Sequence, residues 1–310
     1  MNKVQRKRLH KGDWFYLVII FIVVLYALFP YIRQWSILIK NGKEGITVEQ
    51  GEETLHIAFL PVGQGDSAIV KLGNWSALID TGVYASYDVV SQGLDQFEIK
   101  KLDAVFISHP HYDHIGCLQS VLQDYKVEHV YFADVPEEFI PASEWYERIL
   151  DVIDKKDIPL TILYRGDIVN IDGTNASFET LWSGGGEDLN DCSMVLRLTI
   201  GKYSALFMGD AEHRVEEELV STGKEIRSQI LKVGHHGTRY ATYSHFLNYV
   251  RPEYAIISCG IDNEFGYPKE DVLERLSSIG AVVLRTDTQG MIHFVITEDS
   301  IQYEVKGIEE

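Results

Sequence analysis

Cysteine is scarce in this chain, whose 310 residues carry three, Cys117, Cys192 and Cys259. That odd count, with no paired spacing, excludes a zinc ribbon and a disulfide framework. Cys259, at the end of an apolar run, reads as core packing, and Cys192 as the filler of a small hole. Basic charge is scarce as well beyond the first 43 residues. Up to Lys43 there are eight Lys/Arg and one Asp, so the remainder carries 20 basic against 45 acidic residues, a formal net charge of −25. A region this acidic is a poor general partner for nucleic acid, because phosphate binding relies on Lys and Arg displacing counterions; only local basic patches are left open. Repeats at solenoid periods and low-complexity segments are lacking too, which excludes an array architecture. What the chain does have is 45% hydrophobic and 24% charged residues, enough apolar surface for one large core.

The N-terminus holds the one long hydrophobic run. Residues 14–32 are 19 positions without a charge, about 28 Å of helix at 1.5 Å per residue, which suffices to cross a bilayer. Trp14, Phe15 and Tyr16 at one end and Tyr31 and Trp35 at the other match interfacial belts. Lys3, Arg6, Lys7, Arg8 and Lys11 favour a cytoplasmic N-terminus, an asymmetry weakened by Arg33, Lys40 and Lys43. The run is longer than the apolar part of a cleaved signal and no small-x-small site follows it, so it reads as an uncleaved anchor. The expected organisation is a basic tail (1–13), a transmembrane helix (14–32), a linker (33–53) and a domain (54–306) outside the cell membrane.

Within that domain, residues 54–60, 66–72 and 75–80 read as a β-meander, with Gly73-Asn74 as a tight turn. Strands then alternate with helices: helix 86–97, strand 103–107, helix 115–124, strand 128–132, helix 143–155. A second β passage spans 160–182, followed by a hairpin of 193–200 with 203–208. The tail reads as helix 212–221, strand 229–233, helix 243–250, strand 254–259, helix 269–279, and strands 281–285, 291–297 and 301–305. Two blocks of this kind predict an α/β fold, α+β by some schemes, with two sheets face to face and helices outside.

The chemistry begins at His109-Pro110-His111-Tyr112-Asp113-His114, three imidazoles and a carboxylate directly after a strand. Borderline cations take imidazole nitrogen and carboxylate oxygen, and ligands this close can cluster where the chain turns off a strand end. Three more polar clusters end strands: Asp80, Asp210, and His235-His236. If these ends share one edge, Asp210 and His235 or His236 complete two adjacent cation sites. Singly, Asp210 also suits a helix N-cap and Asp80 a turn brace.

On these motifs the chain resembles the metallo-β-lactamase superfamily, and more closely its ComEC branch, the hydrolase-like domain of the DNA-uptake channel and its stand-alone relatives. The branch's FLDVGQGDS is similar to residues 59–67. Its LIDTG, HPHxDHxGG, NDxSLVLRL, TGD, HHGS and YGHP are similar to the segments beginning at 78, 109, 190, 208, 235 and 265. The resemblance covers about 55–297 and implies an αββα sandwich with a binuclear metal edge. It implies His109 and His111 on the first metal, Asp113 and His114 on the second, Asp210 bridging and His235 completing the second site. Asp80 would orient a ligand imidazole through its free N–H. The usual third His of the first site is missing; Asn190-Asp191 stands at that point, so an oxygen ligand or water must replace it. His236 is a further candidate ligand or ligand support. Pro61, Tyr267 and Thr238 depart from the branch's Asp, His and Ser.

Two divalent cations about 3.5–4 Å apart can hold a bridging hydroxide and neutralise charge on a phosphoryl or acyl oxygen. Zn²⁺ is the first choice for His/Asp ligation, with Mn²⁺ or Fe open. Asp113 is the candidate proton handler, and Tyr267, Thr238 and Arg239 the candidate contacts to substrate or leaving group. The expected reaction is phosphodiester hydrolysis. The resemblance points to DNA as substrate, while the acidic charge points away from long polyanions and towards a cell-wall or small phosphodiester. An acyl or lactam substrate ranks lower. The alternative is a non-catalytic, membrane-anchored binding or regulatory protein on the same scaffold, to which Tyr267 and the missing third His point.

Overall fold

A computed structural model of the chain describes residues 54–307. The first half supplies β1 (Leu55–Phe59), β2 (Ser67–Leu72), β3 (Trp75–Thr81), β4 (Lys101–Leu102), β5 (Ala104–Ile107), β6 (Lys126–Val127), β7 (Val130–Ala133) and β8 (Leu160–Leu163). The second supplies β9 (Ile168–Asn170), β10 (Ala176–Trp182), β11 (Val195–Ile200), β12 (Tyr203–Phe207), β13 (Ile230–Lys232), β14 (Tyr254–Ile257), β15 (Val282–Arg285), β16 (Met291–Ile296) and β17 (Ile301–Lys306). One sheet runs β17-β16-β1-β2-β3-β5-β7-β8 and the other β15-β14-β13-β12-β11-β10-β9, with β4 and β6 as a small separate pair.

Side-chain alternation dictates the layers. In β5, Ala104 and Phe106 face the other sheet while Val105 and Ile107 face the helices, so all four are apolar and buried. A parallel strand covered on both faces has this composition. Between the sheets, Phe106 meets Phe178 at 4.8 Å between ring centroids and Phe59 meets Phe207 at 5.9 Å. Each such ring contributes about 1.5–3 kcal/mol by leaving water.

Helices cover both outer faces. On the first sheet, α1 (Tyr87–Gln96), α2 (Tyr112–Ile115), α3 (Leu118–Asp124) and α4 (Glu144–Lys155) occur in chain order. Helix α4 buries Tyr146, Ile149 and Ile153, one stripe at helical spacing. On the second sheet lie α5 (His213–Ser221), α6 (Ser244–Val250) and α7 (Glu270–Ser278), with Val215, Phe246 and Val272 in a third apolar cluster. The expected αββα sandwich is present, and all three cysteines are buried and free.

Two features of the topology were not expected. The β passage 160–182 divides, β8 closing the first sheet while β9 and β10 open the second. The final hairpin returns to the first sheet, β16 pairing with β1 along its length. The expected tail, transmembrane helix and linker lie outside the described residues. Among the described residues, no helix is long and apolar enough to cross a membrane.

Candidate metal centre

The runs β3-β5-β7-β8 and β12-β13-β14-β15 are parallel, so their C-terminal ends each gather along one edge. Asp80 and His109–His114 leave the first run there, and Asp210, His235 and His236 leave the second. Two glycines permit the approach. Gly209 (φ +54°) brings the end of β12 so close to Ser108 that a Cβ would stand 2.9 Å from the Ser108 Cβ, and a Cβ at Gly65 would overlap the Asp113 carbonyl oxygen. The Asp66 amide donates to that same carbonyl at 3.1 Å.

Three groups of ligand atoms result; one is the buried set Asp66, Asp80 and His114, and Asp210 belongs to the other two. In one, His114 Nε2 lies 3.2 Å from Asp210 Oδ1 and 3.8 Å from Asp113 Oδ2, and His236 Nε2 lies 3.2 Å from Asp113 Oδ2 and 3.6 Å from Asp210 Oδ1. Ligands at about 2.1 Å around a tetrahedral ion stand about 3.4 Å apart, so these spacings suit one cation. In the other, His109 Nε2 is 3.8 Å from Asp210 Oδ2 and 2.8 Å from His111 Nδ1. The two oxygens of Asp210 thus face different groups.

The donor atoms themselves test whether a metal fits. His114 Nε2 and Asp210 Oδ1 are sealed from solvent and, although 3.2 Å apart, make no well-directed hydrogen bond. Leaving such atoms unpaired costs about 1–3 kcal/mol each or more, and a divalent ion would satisfy both. The supports point the same way. His114 Nδ1 donates to Asp80 Oδ2 at 2.8 Å and His236 Nδ1 to the Ser258 carbonyl at 3.0 Å, which leaves each Nε2 as the ligand atom. Asp80 also accepts the Ser108 amide and hydroxyl, both at 2.7 Å, tying the His109 loop to the end of β3.

Charge balance is consistent with this fit. Burial alone would raise Asp210 and lower the imidazoles. Opposing charges outweigh it: His114, His236 and His235 hold Asp210 well below the carboxylate range, and Asp210, Asp80 and Asp113 hold His114 well above the imidazole range. His236 is pushed up to about 10 against its burial, chiefly by Asp210, Asp113 and Asp66. Burial and then His114 push His109 down, which keeps its ring neutral and able to ligate. A metal bound here would compete with protons for the nitrogens of His114 and His236.

Several assignments read from the sequence change. His236, not His235, joins Asp113, His114 and Asp210. Both residues have left-handed backbone, φ 45° and 54°, and their rings diverge by 71°. His235 instead borders the other group, with Nε2 3.8 Å from Asp210 Oδ2 and Nδ1 2.8 Å from Glu212 Oε1. Thr238 is buried and its amide donates to the His235 carbonyl, so it shapes the loop and does not face a substrate. Asp191 turns away to accept the Glu212 amide at 3.2 Å. Asn190 Oδ1 is buried without a partner, an acceptor suited to a cation or water. Asp210 is not a helix N-cap, since Glu212 precedes α5. Tyr267 stacks on Phe265 and meets His235 edge-on at 5.9 Å, and Arg239 is exposed.

Sequence reasoning missed four supports. Ser193 Oγ accepts the Asp210 amide at 3.0 Å and lies 3.2 Å from His109 Nδ1. Glu212 orients His235, and Asp66 lies beneath His236 at 3.4 Å. Lys232 Nζ reaches Asp66 Oδ2 at 2.6 Å with both side chains buried. A lysine inside the apolar strand β13 was the available signal, because a buried ammonium requires a carboxylate.

The metallo-β-lactamase superfamily model matches residues 60–261. The chain belongs to the metallo-β-lactamase superfamily. Within the superfamily its curated relatives are of the ComEC type. It is 29% identical to ComE operon protein 3 of Bacillus subtilis over 256 residues, 77% of this chain and 32% of that protein. It is 30% identical to competence protein ComA of Neisseria gonorrhoeae over 272 residues, 85% of this chain and 36% of that protein. The chain therefore spans about a third of the length of these relatives. Among solved structures, the metallo-β-lactamase fold protein YhfI of Bacillus subtilis aligns with TM-score 0.52 at 13% identity, covering 77% of this chain and 99% of that one. CmlA, a diiron β-hydroxylase of Streptomyces venezuelae, aligns with TM-score 0.52 at 11% identity, covering 80% of this chain and 55% of that one. Both likenesses concern the fold alone.

Proposed function

We propose that this chain is a divalent-metal-dependent phosphodiesterase, held at the cell membrane by residues 14–32 with its hydrolase domain outside. The observation that carries the reading is Asp210, whose two oxygens face two separate groups of ligands. His109, His111 and Asp210 would hold one ion, and Asp113, His114, Asp210 and His236 the other. When bound, Zn²⁺, Mn²⁺ or Fe supplies Lewis acidity towards a phosphoryl oxygen and lowers the pKa of water.

The chain's residues supply the rest. His111 and Asp113 are the partly exposed ligands and mark the side from which substrate enters. Asp113, held by His236 at 3.2 Å, would take a proton from the attacking water. Tyr267, with the Lys269 ammonium 5.3 Å from its ring, borders His235 and would contact the substrate or leaving group. The competence relatives favour DNA as substrate, whereas −25 over residues 44–310 favours a small or cell-wall phosphodiester, and we adopt the latter.

The test is release of p-nitrophenol from bis(p-nitrophenyl) phosphate by the full chain loaded with Zn²⁺ or Mn²⁺. Activity is expected in the parent and lost in His111→Ala and Asp113→Ala. No release from this diester, DNA or wall phosphodiesters, with variants equal to parent, would favour the binding-scaffold reading. The His109 group, which has two histidines and Asp210 but no third histidine, is the observation on that side.

A further inference from the structure

We propose that the cavity beside His109 receives an amine-bearing, positively charged arm of the substrate. The inference rests on the phosphodiesterase reading and narrows it to zwitterionic phosphodiesters. A cavity of about 220 Å³ lies where β5, β7 and β8 end, and it shares a wall with the metal centre through His109 and Pro110. Phe132, Ile140 and Tyr146 make it apolar, and one acidic residue, Asp134, is among its lining. Its volume falls below the roughly 300–1,000 Å³ of pockets that enclose a whole ligand. It fits one arm of a molecule whose reacting group lies at Asp210.

Asp134 provides the selection by charge. Its amide donates to Ser183 Oγ at 2.9 Å, and its carbonyl lies where a Cβ on Gly184 would overlap it, so the backbone is fixed. Its half-buried carboxylate has no hydrogen bond or ion pair among the described residues. The other charges in the covering loop 134–143 are Glu137 and Glu138, with no Lys or Arg. A carboxylate among apolar walls, without a cation of its own, favours a cationic donor, since charge-assisted hydrogen bonds are about twice as strong as neutral ones. Tyr146 and Phe132 line the same cavity, and an aromatic ring whose face meets a cation attracts it. An anionic arm would meet repulsion from all three carboxylates.

The experiment uses the metal-loaded full chain and two series of p-nitrophenyl phosphodiesters, one with ω-aminoalkyl arms and one with n-alkyl isosteres. The best aminoalkyl diester is expected to exceed its isostere in kcat/KM by about tenfold or more, the worth of one hydrogen bond to a charged group. That ratio should fall towards one in Asp134→Asn and below one in Asp134→Lys. A second readout needs no turnover: calorimetric binding of n-hexylamine against n-hexanol should favour the amine, and Asp134→Asn should abolish the preference. If neither series is hydrolysed while the amine preference depends on Asp134, the phosphodiesterase reading falls and the cation pocket stands. Equal rates for both series, or a preference that survives Asp134→Asn, would overturn the pocket.

Discussion

The group of Asp113, His114, Asp210 and His236 offers four ligand atoms, three from fully buried residues, whereas the group of His109, His111 and Asp210 offers three. Closed four-ligand sites hold an ion firmly, and sites with three protein ligands keep a position open for water or substrate. The difference assigns the roles. With ions bound, the four-ligand group would clamp the edge together, and the three-ligand group would be where exchange with solvent takes place. His111, partly exposed, stands at that opening.

Asp210→Ala should break the comparison altogether, because one substitution removes a ligand from both groups. Both ions are expected to be lost and turnover to fall at least about 10²–10³-fold, the scale of one lost transition-state charge contact. One full equivalent retained in metal analysis would contradict the shared carboxylate. Lys232→Met acts beneath the clamp and leaves Asp66 buried and uncompensated. Its cost in urea unfolding is expected at about 3–5 kcal/mol, and the double variant with Asp66→Asn should recover most of it. An additive double variant would show that the pair is not coupled.

Asp80→Asn sharpens the contrast. Replacing one accepting oxygen by an amide NH2 leaves either the Ser108 amide or His114 Nδ1 facing a donor, and should weaken metal affinity by about 10–100-fold, in the four-ligand group first. Equal weakening of both groups in a competition titration would contradict that order. The smallest effect is expected at a histidine pair away from the edge. His56 and His293, 3.0 Å apart, sit in β1 and β16, and burial followed by the charge of His293 pushes His56 down to about 4. Its folded pKa lies below its unfolded value of 6.5, so its stabilising contribution is present above about pH 6.5 and is lost as pH falls through about 4. The drop in Tm across that window should shrink in His56→Gln; an unchanged drop would place its cause elsewhere.

Much of this edge is legible in the sequence because its parts are local. His109–His114 lie in one loop, and the strand-end positions of Asp80 and Asp210 follow from short apolar runs that stop beside them. Element boundaries agree to within a few residues for the same reason, as at β11 and β12 across Gly201-Lys202. What the chain conceals is orientation. Which of two adjacent histidines faces the ions depends on two left-handed backbone conformations that no hydrophobic pattern encodes. Ser193, Glu212 and Asp66 act through contacts between strands distant in sequence, and the return of β16 to β1 joins segments more than two hundred residues apart.

Two ions would meet at Asp210, with His236 rather than His235 among the ligands. Metal content of the full chain, measured for the parent and for His236→Ala and His235→Ala, tests it most directly. Two equivalents in the parent, one in His236→Ala and two in His235→Ala are the expected result. Loss of an equivalent in His235→Ala with two retained in His236→Ala would contradict it.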